Sequence, residues 1–196
     1  MRQSPGGLHT DAMKYRLAQW FLVLLLGAQV SAVGALDSDL EYRVKAAFLY
    51  NFARFIEWPA TYGAAASDIE VCVFGKSPFT AALETALAGK QVNGRNLQPL
   101  TVNTGSEADN CEILYLPEDV NEREIQNVVS RAEGQPILTV GEGYQFNRSG
   151  GIVRFLLEDG KVRFEVNLSS AEKSGLKISS KLLRVAKTIE GSGPSG

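Results

Sequence analysis

Between Glu41 and Pro59 the apolar residues recur every three or four positions, the period of a helix. Val44, Phe48, Phe52 and Phe55 form one stripe, and Ala47, Leu49 and Ile56 widen it. Asn51, Arg54 and Trp58 fall near another face, and Pro59 stops the run. Ser38 or Asp39 is placed to cap this helix, and Glu41 and Lys45 make an i,i+4 pair in the favourable order. A helix on the rim of a globule needs one apolar stripe. This one is apolar on more than one side, so its second half is expected to lie against something large, such as a sheet face.

The pattern then shortens. IEVCVFG, from Ile69 to Gly75, is an apolar run of strand length. Ser77 and Pro78 start a helix with Phe79, Leu83 and Leu87 on one side, and Gly89 ends it. Asn93-Gly94 marks a turn, and Leu97 to Val102 reads as an edge strand because it holds Pro99. CEILYLP and PILTVGE are two further strands, with a helix from Asn121 to Ala132 between them. GGIVRFLLEDGKVRFEVNL reads as a hairpin turning at Asp159-Gly160. A last helix is expected from Ser179 to Ile189. The alternation predicts an α/β fold: a compact layered sandwich with a central, mostly parallel sheet, a C-terminal β-hairpin and flanking helices.

The start of the chain is read as an address. Lys14 and Arg16 precede the apolar WFLVLLLGAQV, and small residues follow as far as Ala35. This is the order of a secretory signal, too short to span a bilayer comfortably. Residues 1–35 are therefore expected to be an N-terminal extension and signal peptide, cut near Ala35, with export to the periplasm. Residues 36–190 form a single domain and 191–196 a disordered tail. Removing 1–35 takes away three bases and one acid, so the formal charge moves from -2 to -4. A mildly acidic chain gives no support for nucleic-acid binding.

The only histidine, His9, also lies before the cut. Without one, the usual base of a hydrolase triad is missing. Ser179 and Lys181 are too close in sequence to suggest a Ser–Lys pair, and those serines fit a helix cap better. Glu57, beside Trp58, is the most interesting carboxylate, although a rim residue or a partner for Arg54 explains it as well. The GEGY stretch ends a strand, where open α/β sheets gather ligands. Gly141, Gly143 and Tyr144 are thus candidate ligand-binding residues, against the plainer reading of a tight turn. The two cysteines, Cys72 and Cys111, are either bridged or buried as thiols. Their spacing is neither a redox pair nor a zinc cluster. No cofactor, metal or catalytic residue is expected.

Several blocks resemble the YfiR family. The helix carries Y-x-V-K-A-x-F-L-Y-N-F-x-x-F-x-x-W-P from Tyr42 to Pro59. IEVCVFG, GEGYQF…GGIVRF and FEVNLSSAEKSGLKISSKLLRVA are similar to later family blocks. The resemblance implies a periplasmic regulator, not an enzyme. It would bind the periplasmic sensory domain of an inner-membrane diguanylate cyclase and repress it, lowering cyclic di-GMP and biofilm formation. It also implies a homodimer, a possible outer-membrane lipoprotein partner, and membrane contact only through partners. A Cys72–Cys111 bridge fits the family, whereas a second pair does not occur here, since Gln145 and its neighbours are not cysteine. Partner or dimer contact is assigned to Tyr50, Phe52, Arg54, Phe55 and Trp58 on the first helix, or to Lys181, Arg184 and Lys187 on the last. The alternative is a periplasmic sensor of a small ligand or peptidoglycan fragment, acting on another membrane receptor.

Overall fold

The structure, a computed structural model, describes residues 31–60 and 68–190. The signal segment up to Val30 and the tail 191–196 lie outside the described residues. The chain divides into two units, Met1–Asp39 and Leu40–Gly196, and every strand among the described residues belongs to the second. Among the described residues, no helix is long and apolar enough to cross a membrane.

Helix α1 spans Ser31–Phe55. The expected cap at Ser38 or Asp39 is not formed, because the helix runs through both positions. Strand β1 (Ile56–Glu57) follows, then β2 (Ile69–Phe74), α2 (Phe79–Leu87), β3 (Gln91–Val92) and β4 (Arg95–Val102). A 3-10 turn at Glu107–Asn110 leads to β5 (Ile113–Leu116), α3 (Glu122–Ala132), β6 (Leu138–Glu142) and α4 (Gly143–Arg148). The chain ends with β7 (Val153–Glu158), β8 (Lys161–Asn167), α5 (Leu168–Lys173), β9 (Lys177–Ile178), α6 (Ser180–Leu183) and β10 (Thr188–Glu190).

The expected layered sandwich around a mostly parallel sheet is corrected by the topology. One large mixed sheet runs β10-β8-β7-β6-β5-β2-β4-β3, and a separate two-stranded sheet pairs β1 with β9. β2, β4, β5, β6 and β7 share one direction, whereas β3 and β8 run against their neighbours β4 and β7, and β10 follows β8. A sheet of this many strands twists and curls rather than lying flat between layers. The hairpin is not an appendage: β7 pairs with β6 and so continues the sheet. The predicted last helix is also corrected. It closes after one turn at Leu183, and Lys187 N–H then donates to the Phe164 carbonyl at 2.8 Å. Thr188 and Ile189 are β-branched, and an edge strand offers unpaired backbone groups, so the segment is taken up as β10.

Other local signals hold. Asn121 caps α3 by accepting from Glu124 N–H at 3.0 Å. Asp159 and Gly160 adopt φ values of 50° and 69°, as a two-residue hairpin turn requires. Pro99 sits in β4 beyond the two residues that β3 pairs, where no outer strand among the described residues needs its missing N–H.

The sheet has two covered faces. Ala46, Leu49 and Phe52 of α1 join Phe79 and Leu83 of α2 over Val71, Tyr115, Val140 and Phe155. On the other face Ile125, Val128 and Val129 of α3 and Phe146 of α4 cover Cys72, Leu114 and Leu116. Cys72 and Cys111 are joined by a disulfide across 39 residues of sequence. Closing a loop of that size in the unfolded chain is worth roughly 3–4 kcal/mol on the chain-entropy account.

Candidate functional site

Helix α1 is the element that positions most of the predicted residues, and two stretches of it, Leu40–Ala47 and Phe48–Phe55, are held differently. Lys45 lies on the inward side, one turn before Leu49, and is only 4% exposed. Its ammonium pairs with Glu41 and donates to Glu142 at 2.6 Å, at the carboxyl end of β6. The Tyr115 hydroxyl donates to the other oxygen of Glu142. Burial works most strongly against the lysine's charge, but the hydrogen bonds and charges of Glu142 and Glu41 outweigh it. The Lys45 ammonium therefore titrates above the ordinary lysine value. Burial first, then the charge of Glu142, pushes the Tyr115 hydroxyl far upward, so it stays protonated. Each polar group of this buried set has a partner, which is the condition for placing it there.

The second stretch, Phe48–Phe55, is held by rings. Phe52 is fully buried, stacked on Phe155 at 5.9 Å and edge-on to Phe164 at 5.2 Å. Phe48 packs on the same two rings. As an expected contact residue Phe52 is thus corrected: it presents no surface and props the helix from beneath. Tyr50 and Phe55 are half-buried and Arg54 is exposed. The Arg54 guanidinium lies 5.5 Å from the Tyr50 ring centre and 5.4 Å from that of Phe55. Lys90, which sequence reasoning missed, places its ammonium 5.8 Å from the Tyr50 ring. These four side chains form an aromatic patch with two cations over it, the chemistry of a contact surface. Lys90 follows Gly89 at the end of α2, and nothing in its local pattern pointed to α1. Trp58 is half-buried, with its indole N–H enclosed and without a hydrogen-bond partner among the described residues. Glu57 is exposed on β1, opposite Lys177 in the register.

The remaining predicted residues lie elsewhere. Lys181, Arg184 and Lys187 are exposed around α6 and the start of β10, and Lys187 donates to Glu158 at 2.6 Å. Ser179 accepts from Lys181 N–H and caps α6, as its plainer reading held. Gly141 is buried, and a Cβ there or at Gly151 would fall inside the Phe146 ring. Both glycines therefore make room for a core phenylalanine, which accounts for Gly141 without a ligand. Gly143 opens α4 at φ 73°, and Tyr144 is exposed beside the Arg148 guanidinium at 5.8 Å. Glu70 lies near Cys72 and Cys111, but both sulfurs are taken by the disulfide.

Residues 42–187 match the YfiR/HmsC-like family, a span that holds β1 to β9 and the patch on α1. The chain belongs to that family. It is a non-catalytic family, which agrees with the expectation that the protein is not an enzyme. Two solved structures are also similar to the chain. One is the ABC domain in complex with L-Trp from Streptococcus pneumonia, 12% identical, covering 62% of this chain and 55% of that one, with a TM-score of 0.44. The other is a conserved domain protein from Vibrio cholerae, 14% identical, covering 62% and 54%, with a TM-score of 0.43. The chain thus spans about half the length of these structures, and both scores are too low to bear on function.

Proposed function

We propose that this protein is a periplasmic regulator that binds the periplasmic sensory domain of an inner-membrane diguanylate cyclase and holds it inactive. Cyclic di-GMP and biofilm formation fall as a result. Membership of the YfiR/HmsC-like family across residues 42–187 is the observation that carries this reading. The α1 patch supports it: Arg54 and Lys90 over Tyr50 and Phe55 offer rings and cations to a protein surface. Tyr and Arg are the residue types that anchor protein contacts. The same helix is the proposed self-contact of a homodimer. An outer-membrane lipoprotein that competes for the regulator is the proposed release. Lys181, Arg184 and Lys187 are the second proposed docking face.

Removal of residues 1–35 on export belongs to this proposal, with 36–190 as the working domain. The cut would place a new N-terminus within α1 and leave Ser38 and Asp39 close to it, where their side chains serve as caps. The test is to delete the gene and measure cyclic di-GMP with and without the cyclase. The expected result is a rise that vanishes when the cyclase is also deleted, and capture of the cyclase by the exported chain. An unchanged nucleotide level together with no capture overturns the reading.

A further inference from the structure

Gly141, suspected of holding a ligand, makes room for Phe146, but the segment that follows it walls a separate pocket. This pocket lies on the α3 face of the sheet, away from α1, and has a volume of about 70 Å³. Its lining includes the apolar Val129, Ala132 and Ile152 and the hydroxyl-bearing Thr139, Ser149, Ser170 and Ser174. Thr139 and Ser174 are 2% and 5% exposed, so these are built-in polar positions and not surface decoration.

The hydrogen bonds around the pocket set the polarity of two hydroxyls. Thr139 Oγ1 accepts from Ile152 N–H at 3.1 Å, which leaves its own hydrogen to donate. Ser149 Oγ–H donates to the Gln145 carbonyl at 2.9 Å, which leaves its lone pairs to accept. A donor and an acceptor beside apolar walls fit a group that carries a carbonyl, an N–H and a methyl. The rim adds no net charge, since Lys173 donates to Glu133 at 3.1 Å. A cavity needs at least about 10–15 Å³ to hold one water, so this pocket has room for a group of a few non-hydrogen atoms. An acetamido group has four.

We infer that this pocket binds the acetamido group of a small uncharged ligand, of the kind carried by N-acetylated sugars and N-acetylated amino acids. The inference goes beyond the cyclase reading and does not rest on it: the pocket and the α1 patch share no residue.

The test is an amide NMR titration of the exported chain with N-acetylglucosamine, N-acetylalanine, glucosamine and glucose. Saturable shifts are expected at Ser149–Ile152 and around Ser174, in the millimolar range open to a fragment of this size. They are expected with an acetylated ligand and not with glucosamine or glucose. Which acetylated compound saturates identifies the source. Ser149→Ala removes the acceptor and is expected to weaken binding about threefold to tenfold, the worth of one neutral hydrogen bond. Its melting temperature reports that the fold is intact. No saturable shift up to tens of millimolar, equal shifts with glucosamine, or unchanged affinity in the folded Ser149→Ala protein overturns the inference and leaves the pocket as a water site.

Discussion

Within α1, Leu40–Ala47 and Phe48–Phe55 form two halves that lie on the same sheet face and are held there by different physics. The first half is fixed by a lysine with two carboxylates and a tyrosine hydroxyl. The second is fixed by the rings of Phe48 and Phe52 on Phe155 and Phe164. Ring burial is non-directional and drives folding, whereas a buried ion pair roughly offsets its own desolvation and instead specifies geometry. The ring-held half is also the one that leaves Tyr50, Phe55 and Arg54 at the surface. The proposed binding surface is thus built on the half whose anchoring does not depend on charge.

Phe52→Ala separates these contributions most strongly. It should destabilise the domain by about 3–5 kcal/mol, the usual loss for a fully buried phenylalanine. Urea denaturation measures it, and a loss below about 1 kcal/mol would show that the rings are not the anchor. Lys45→Met should have a smaller effect, about 2–3 kcal/mol, because Glu142 is left buried but can still reach water. Adding Glu142→Gln, which still accepts from Tyr115, should recover much of that loss. If the double variant is no better than the single one, the lysine matters for packing and not for charge.

The same network sets an alkaline limit. The folded Lys45 value lies above the unfolded one, so its stabilisation is complete below about pH 10.4 and is lost as pH rises through the folded value. Tyr115 acts in the same direction, because its folded value is also raised above the unfolded one near 10. Stability should therefore decline from about pH 10 upward. Thermal melts of Lys45→Met and Tyr115→Phe should show a shallower decline than the parent. Parallel curves would remove these two groups as its cause.

Much of this contrast was legible in the sequence, and the missing parts have physical reasons. The ring stripe Phe48, Phe52, Phe55 was visible because helical spacing reports which side is buried. Lys45 was readable only as the partner of Glu41. Its place one turn before Leu49, on the buried side, was the available signal, but Glu142 lies 97 residues away. Lys90 was invisible for the same reason, since its contact with Tyr50 is tertiary. The sheet was harder still. Strand identity is local, but the joining of β7 to β6 and the capture of Thr188–Glu190 by β8 depend on which backbone groups remain unpaired after folding. Gly141 reads in sequence as part of a ligand loop, and only the Phe146 ring, which it meets together with Gly151, shows what it makes room for.

The most direct test of the proposed cyclase contact is calorimetric titration of the exported protein, parent and Arg54→Glu, against the periplasmic domain of the cyclase. Arg54 is exposed, so its reversal should change stability by no more than about 0.5 kcal/mol. The expected result is an unchanged melting temperature and an affinity reduced about tenfold or more, as when a cation at a contact surface is reversed. Equal affinity of the two proteins would contradict that contact.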